Sequence, residues 1–143
     1  MKYLLLAACF FSFTAQAEVS GQWVGSGDWT VQGEGTYCPS MKISFRETAN
    51  EFRRLGGTFD CGIVVLHSDP LLWERRGNDL YLDGQAAGQI GATSFTTAEP
   101  VNDEGTVAHT KFVRSGNEAE YEERWIDAEG REMYLIRGQL RLR

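Results

Sequence analysis

The chain has 143 residues, 14 Lys+Arg against 20 Asp+Glu, a formal charge of −6, and 42% hydrophobic and 12% aromatic residues. This length suits one domain with a core of its own. The acidic balance argues against nucleic acid and against anionic membrane surfaces, both of which select basic patches.

The N-terminus reads as a secretory signal, residues 1–17. Lys2 supplies the positive charge, Tyr3 to Phe13 the apolar run, and Ala15-Gln16-Ala17 the small-x-small cleavage site, with cleavage after Ala17. The apolar run is far shorter than the ~20 residues a membrane-crossing helix needs, so no transmembrane span is expected. An alternative is lipidation at Cys9, because Leu6-Ala7-Ala8-Cys9 resembles a bacterial lipobox. Cleavage leaves residues 18–143 as a single periplasmic or secreted domain. Its two cysteines, Cys38 and Cys61, are an even pair in an oxidising compartment and predict one disulfide.

Two-residue alternation bounded by turn residues recurs along the mature chain, and helical periodicity is nearly absent. Trp23, Gly25, Gly27, Trp29 and Val31 share one phase of a first strand over 21–31. Met41, Ile43 and Phe45 alternate with Lys42, Ser44 and Arg46 in a second, and Leu55, Gly57, Phe59 and Cys61 share a phase in a third. Leu71 to Glu74 and Leu80 to Leu82 flank Gly77-Asn78-Asp79 and predict a hairpin. After the Asp83-Gly84 turn, Gln85 to Thr97 forms one or two strands, and Thr106 to Arg114 alternates again. The chain closes with Ala119, Tyr121, Glu123 and Trp125, a turn at 127–130, and Glu132 to Leu142 with Tyr134, Ile136, Gly138, Leu140 and Leu142 in phase. An open sheet of this length would leave an unpaired edge and a bare apolar face, so the expected fold is all-β, an antiparallel up-and-down β-barrel of 8–10 strands.

Gly21-Gln22-Trp23 at the start of the first strand resembles the Gly-x-Trp motif of the calycin superfamily, which includes lipocalins and fatty-acid-binding proteins. The resemblance implies a calycin/lipocalin-like barrel whose tryptophan packs at the closed end beneath an arginine of the last strand. Arg137, Arg141 and Arg143 are the candidates for that arginine, and Arg141 is taken with Gly21 and Trp23 as the closing set. The longer pattern Gly21-x-Trp23-x-Gly25-x-Gly27 also looks like the opening of nitrobindin-type haem barrels.

Catalytic chemistry finds few carriers. His67-Ser68-Asp69 has the residue types of a hydrolytic triad, but chain neighbours point in different directions and cannot align as base and nucleophile. Glu118, Glu120, Glu122 and Glu123 read as a solvated acidic stripe. No metal site and no cofactor is expected, and the chain reads as a non-enzyme. The weaker alternative is a haem barrel, in which His109 faces the interior. The main expectation is a barrel that binds a small apolar molecule, with Trp29, Met41, Phe45, Phe59, Trp73, Tyr121, Trp125 and Tyr134 lining its pocket. The other is a filled barrel acting as an interaction module or inhibitor for a protein of the cell envelope.

Overall fold

The computed structural model describes residues 19–143, so the expected signal and the Cys9 reading lie outside the described residues. The first strands are β1 (Gly21–Val31), β2 (Glu34–Glu47), β3 (Glu51–Asp60), β4 (Val65–Ser68) and β5 (Leu71–Arg76). There follow β6 (Asp79–Leu82), β7 (Gln85–Ile90), β8 (Ser94–Pro100), β9 (Val107–Ser115), β10 (Glu118–Ile126) and β11 (Glu132–Leu142). All eleven form one sheet, and every ladder is antiparallel. Each strand pairs with its neighbours in sequence, apart from the split at β4 and β5. β1 pairs with both β2 and β11, which closes the ladders into a ring.

The strand count exceeds the expected eight to ten because one strand is split. Both β4 and β5 pair with β3, Thr58 opposite His67 and Arg53 opposite Leu72, and the register runs unbroken from one to the other. Pro70 lies between them and has no N–H to give to a ladder. His67 and Ser68 are therefore strand residues rather than loop residues, and β4 pairs with β3 alone.

Turn chemistry sets the registers. Val31 opposes Glu34 across Gln32-Gly33, whose φ values of 50° and 85° suit the two-residue hairpin turn that matches strand twist. The ring has two ends. One, called upper here, carries the connections at 32–33, 61–64, 83–84, 101–106 and 127–131; the lower carries those at 48–50, 77–78, 91–93 and 116–117.

Aromatic rings fill the lower half of the interior. Phe45 lies 4.9 Å from Phe95, 5.8 Å from Phe52 and 5.5 Å from Phe112, and Phe112 meets Trp23 edge-on at 5.0 Å. Trp23 is fully buried, and its indole N–H donates to the carbonyl of Val19 at 3.1 Å. The guanidinium over its ring, at 5.3 Å, belongs to Arg114 of β9. This corrects the assignment of Arg141. Leu140 is buried and Leu142 packs on the core, so Arg141 between them points to solvent, as Arg137 and Arg143 also do.

A β-bulge corrects the phase of β3. The register shifts where Ser44 opposes Gly56 and Phe45 opposes Arg54, which leaves Leu55 without a partner. Phe52 and Arg54 consequently face inward before the bulge and Phe59 after it, while Leu55 is exposed rather than in line with Phe59 and Cys61.

Cys38 and Cys61 are joined across a sequence separation of 23, tying β2 to the chain just beyond β3. In the chain-entropy model a loop of this size contributes about 3 kcal/mol. Chemical denaturation with and without reductant should show a loss of that order, and the Cys38→Ser/Cys61→Ser variant should match the reduced protein. Coincident unfolding curves would contradict the assignment.

Candidate functional site

The upper half of the interior differs in chemistry from the lower. The buried polar or charged residues found among the described residues are Arg54, Thr97, Thr110 and Glu123, and the Arg54 guanidinium reaches from the level of Phe45 to Glu99 near the upper end of β8. Thr97, Thr110 and Glu123 are successive ladder partners across β8, β9 and β10, and Ile136 and Trp29 continue the row onto β11 and β1. Simple alternation turns these side chains inward once the neighbouring Tyr121, Phe112 and Phe95 are buried.

Arg54 and Glu99 join non-adjacent strands of the ring. The Arg54 Nη1 and Nη2 atoms donate to the two carboxylate oxygens of Glu99, each at 3.0 Å, and its Nε donates to the carbonyl of Asp69 at 2.6 Å. Two parallel N–H···O bonds fix the guanidinium in plane as well as neutralising it. The same guanidinium stands 5.6 Å from the centroid of the Trp73 ring.

Glu123 is held by neutral donors. The Tyr121 hydroxyl donates to its Oε2 at 2.5 Å, and the Trp125 indole N–H donates to its Oε1 at 2.6 Å. Burial and then the Glu123 charge push the Tyr121 hydroxyl well above the ordinary tyrosine range, and the same two causes raise Tyr134. A folded-state value above the unfolded one means that the stabilisation is complete below pH ~10 and is lost as pH rises past it. Absorbance titration should therefore find Tyr121 and Tyr134 protonated until alkaline unfolding, and early phenolate formation in Tyr121→Phe-sensitive signal would contradict their burial beside Glu123.

Aromatic side chains also pack in this half. Tyr134 stacks on Trp125 at 4.8 Å and meets Trp29 at 6.1 Å, while Phe59 approaches Tyr121 at 5.7 Å. Among the described residues, the buried indole N–H groups of Trp29 and Trp73 have no hydrogen-bond partner. A cleft of about 430 Å³ opens at the upper rim between Trp29, Val31, Thr36 and Ile63. Trp29 is thus a wall shared by the interior and the outside.

All eight side chains expected to line a pocket lie in the inward phase. Met41, Phe59, Trp73 and Tyr121 are buried, and Trp29, Trp125 and Tyr134 are half-buried. Phe45 is buried but belongs to the lower ring stack. Glu123 does not belong to the solvated stripe; it shares the phase of Tyr121, whereas Glu122 faces Arg124 and Arg137 outside. Arg54, Glu99, Thr97 and Thr110 were not expected. Alternation did carry a signal for Glu123, while Arg54 was hidden by the bulge at Leu55.

His109 corrects the haem reading. Ala108, Thr110 and Phe112 are the buried residues of β9, so His109 is exposed on the outer face opposite Arg124. His67 is likewise exposed, and no group of three or more His, Cys, Asp or Glu among the described residues is placed to hold a metal ion. No family model matches this chain, and no curated protein matches it. No helix among the described residues is long and apolar enough to cross a membrane.

Proposed function

We propose that the chain is an exported, calycin-like β-barrel that binds one small, mainly apolar molecule in the upper half of its interior, without catalysis. The observation that carries this reading is the upper rim, where a cleft of about 430 Å³ meets the half-buried Trp29 ring and where the half-buried Tyr134 and Trp125 rings stand next to it. Aromatic surface beside an opening of this size is what an apolar ligand buries against. Support comes from the aromatic walls, from the shared Trp29 face at the rim, and from the Gly21-x-Trp23 opening. The disulfide accords with an oxidising compartment, periplasmic or extracellular.

Native mass spectrometry of protein freshly isolated from its source should show one added molecule per chain, released by organic solvent. Protein that is consistently bare, and stays bare after incubation with a source extract, would overturn the reading.

A second reading draws on the outside of the same end. β4 has a single ladder partner; its first residue, Val65, is 47% exposed, and Ile63 just before it is 85% exposed. An edge strand flanked by exposed apolar side chains can add a strand from another protein. Under this reading the chain is an interaction module of the cell envelope. Pull-down from envelope extract with wild-type protein and a Val65→Lys variant separates it from the first.

A further inference from the structure

Two projections of the chain line the cleft at the upper rim. The β1–β2 hairpin supplies Trp29, Val31, Glu34 and Thr36, and the connection at 61–64 supplies Ile63. The ladder between β2 and β3 stops at Ser40 opposite Asp60, so Glu34 to Pro39 extend past it. Beyond that point the Cys38–Cys61 bond joins the 61–64 connection to β2, and among the described residues no hydrogen bond or ion pair does. The connection is tied within itself. The Cys61 N–H donates to the Val64 carbonyl at 2.9 Å, the Ile63 N–H to the Cys61 carbonyl at 2.9 Å, and the Gly62 N–H to a carboxylate oxygen of Asp60 at 2.9 Å. Gly62 has a φ of 78°, a left-handed value that glycine takes without strain. Ile63 projects from this tip and, at 85%, is the most exposed large hydrophobic side chain among the described residues.

We infer that Ile63 is the outer contact of the ligand site, covering a small apolar molecule seated against Trp29, and that the Cys38–Cys61 bond positions it there; this rests on the ligand-binding reading. A single exposed apolar side chain is ordinary on a protein surface. Ile63 is set apart because it lines the same cleft as Trp29 and Val31, on a backbone held by three hydrogen bonds and a disulfide. A wall fixed in advance favours binding, since the ligand need not order it. The cleft of about 430 Å³ lies within the roughly 300–1,000 Å³ that small-molecule sites span, so its occupant is a molecule rather than a length of chain. With the disulfide cut, the tip swings about its ends at Asp60 and Val65, because β4 is held by β3 alone. Trp29, Val31 and Thr36 stay in place on the β1–β2 ladder, and the cleft loses its second wall. The disulfide therefore governs binding as well as stability, and reduced protein is a weak binder even while it stays folded.

Prodan, a neutral naphthalene ketone whose emission moves to the blue in apolar surroundings, is the probe, titrated at neutral pH into the full mature protein labelled with nitrogen-15. At saturation the amide resonances of Val31, Gly35 and Thr36 should move, which locates the probe in the cleft. Ile63→Ala should weaken binding about fivefold or more, through loss of most of the isoleucine's contact area, while Ile63→Leu should stay within about twofold of wild type. Neither change should move the unfolding midpoint, because the side chain is exposed. Leu72→Ala, at an exposed apolar residue outside the cleft, should leave binding unchanged. Cys38→Ser combined with Cys61→Ser, checked for native fold by its far-ultraviolet spectrum, should bind about tenfold or more weakly. The Ile63 series alone decides should that variant not fold. Hairpin amides that move while Ile63→Ala binds as wild type, or a folded disulfide variant that binds as wild type, would overturn the inference and leave the cleft reading in place. Hairpin amides unmoved at saturating probe would overturn both.

Discussion

Trp23→Ala should destabilise the protein by about 3–5 kcal/mol, the usual range for removing a fully buried large aromatic side chain. The substitution deletes the ring that meets Phe112 at 5.0 Å and lies under Arg114. It also deletes the indole donor to the Val19 carbonyl, so a buried acceptor loses its partner along with the packing. The Phe95 and Phe112 rings, stacked at 5.2 Å, cannot close over a void of this size without leaving their own contacts. For a domain of this size the loss corresponds to a fall in Tm of about 10–20 °C. Trp23→Phe keeps most of the packing and should recover more than half of the loss. Urea denaturation of the two variants measures both values, and a Trp23→Ala midpoint equal to wild type would mean that the lower end is not closed in this way.

Glu99→Ala should cost about 3–5 kcal/mol, because it leaves the Arg54 guanidinium unpaired with its side chain 8% exposed. Glu99 itself retains 18% exposure, which places the expected value in the lower part of that range. Water entering beside Arg54 offsets part of the penalty. Breaking a buried pair and replacing it whole are different experiments. Arg54→Met combined with Glu99→Leu removes both charges and keeps volume, and should return stability to within about 1 kcal/mol of wild type. A double-mutant cycle by denaturation gives the coupling. Additive single losses would show that the pair contributes no interaction of its own.

Much of the fold was legible because burial with period two is a direct consequence of strand geometry. Trp23 and Trp29 on β1, Ala119, Tyr121 and Trp125 on β10, and Ile136 and Leu140 on β11 are inward as alternation requires. The disulfide followed from the cysteine pair that remains once Cys9 is counted with the signal, in an oxidising compartment. The failures have local causes. A single extra residue at Leu55 reverses the phase of β3, and no pattern in Arg53-Arg54-Leu55-Gly56 announces it, so the buried Arg54 was invisible. Glu99 was missed for a different reason: the Ser94–Pro100 strand carries small and polar residues whose burial depends on partners across the ring. The closing arginine was misplaced because the resemblance pointed to the last strand, while the alternation of Leu140 and Leu142 already turned Arg141 outward. Glu123 shows the reverse, since its phase with Tyr121 was in view and its charge led to the wrong face.

The account turns on whether the upper interior holds something other than protein. A crystal structure of protein isolated from its source, without solvent extraction, tests this most directly. The account predicts density not belonging to the chain against the Trp29, Trp125 and Tyr134 rings. The same rings packed only against the chain's own side chains and solvent would contradict it.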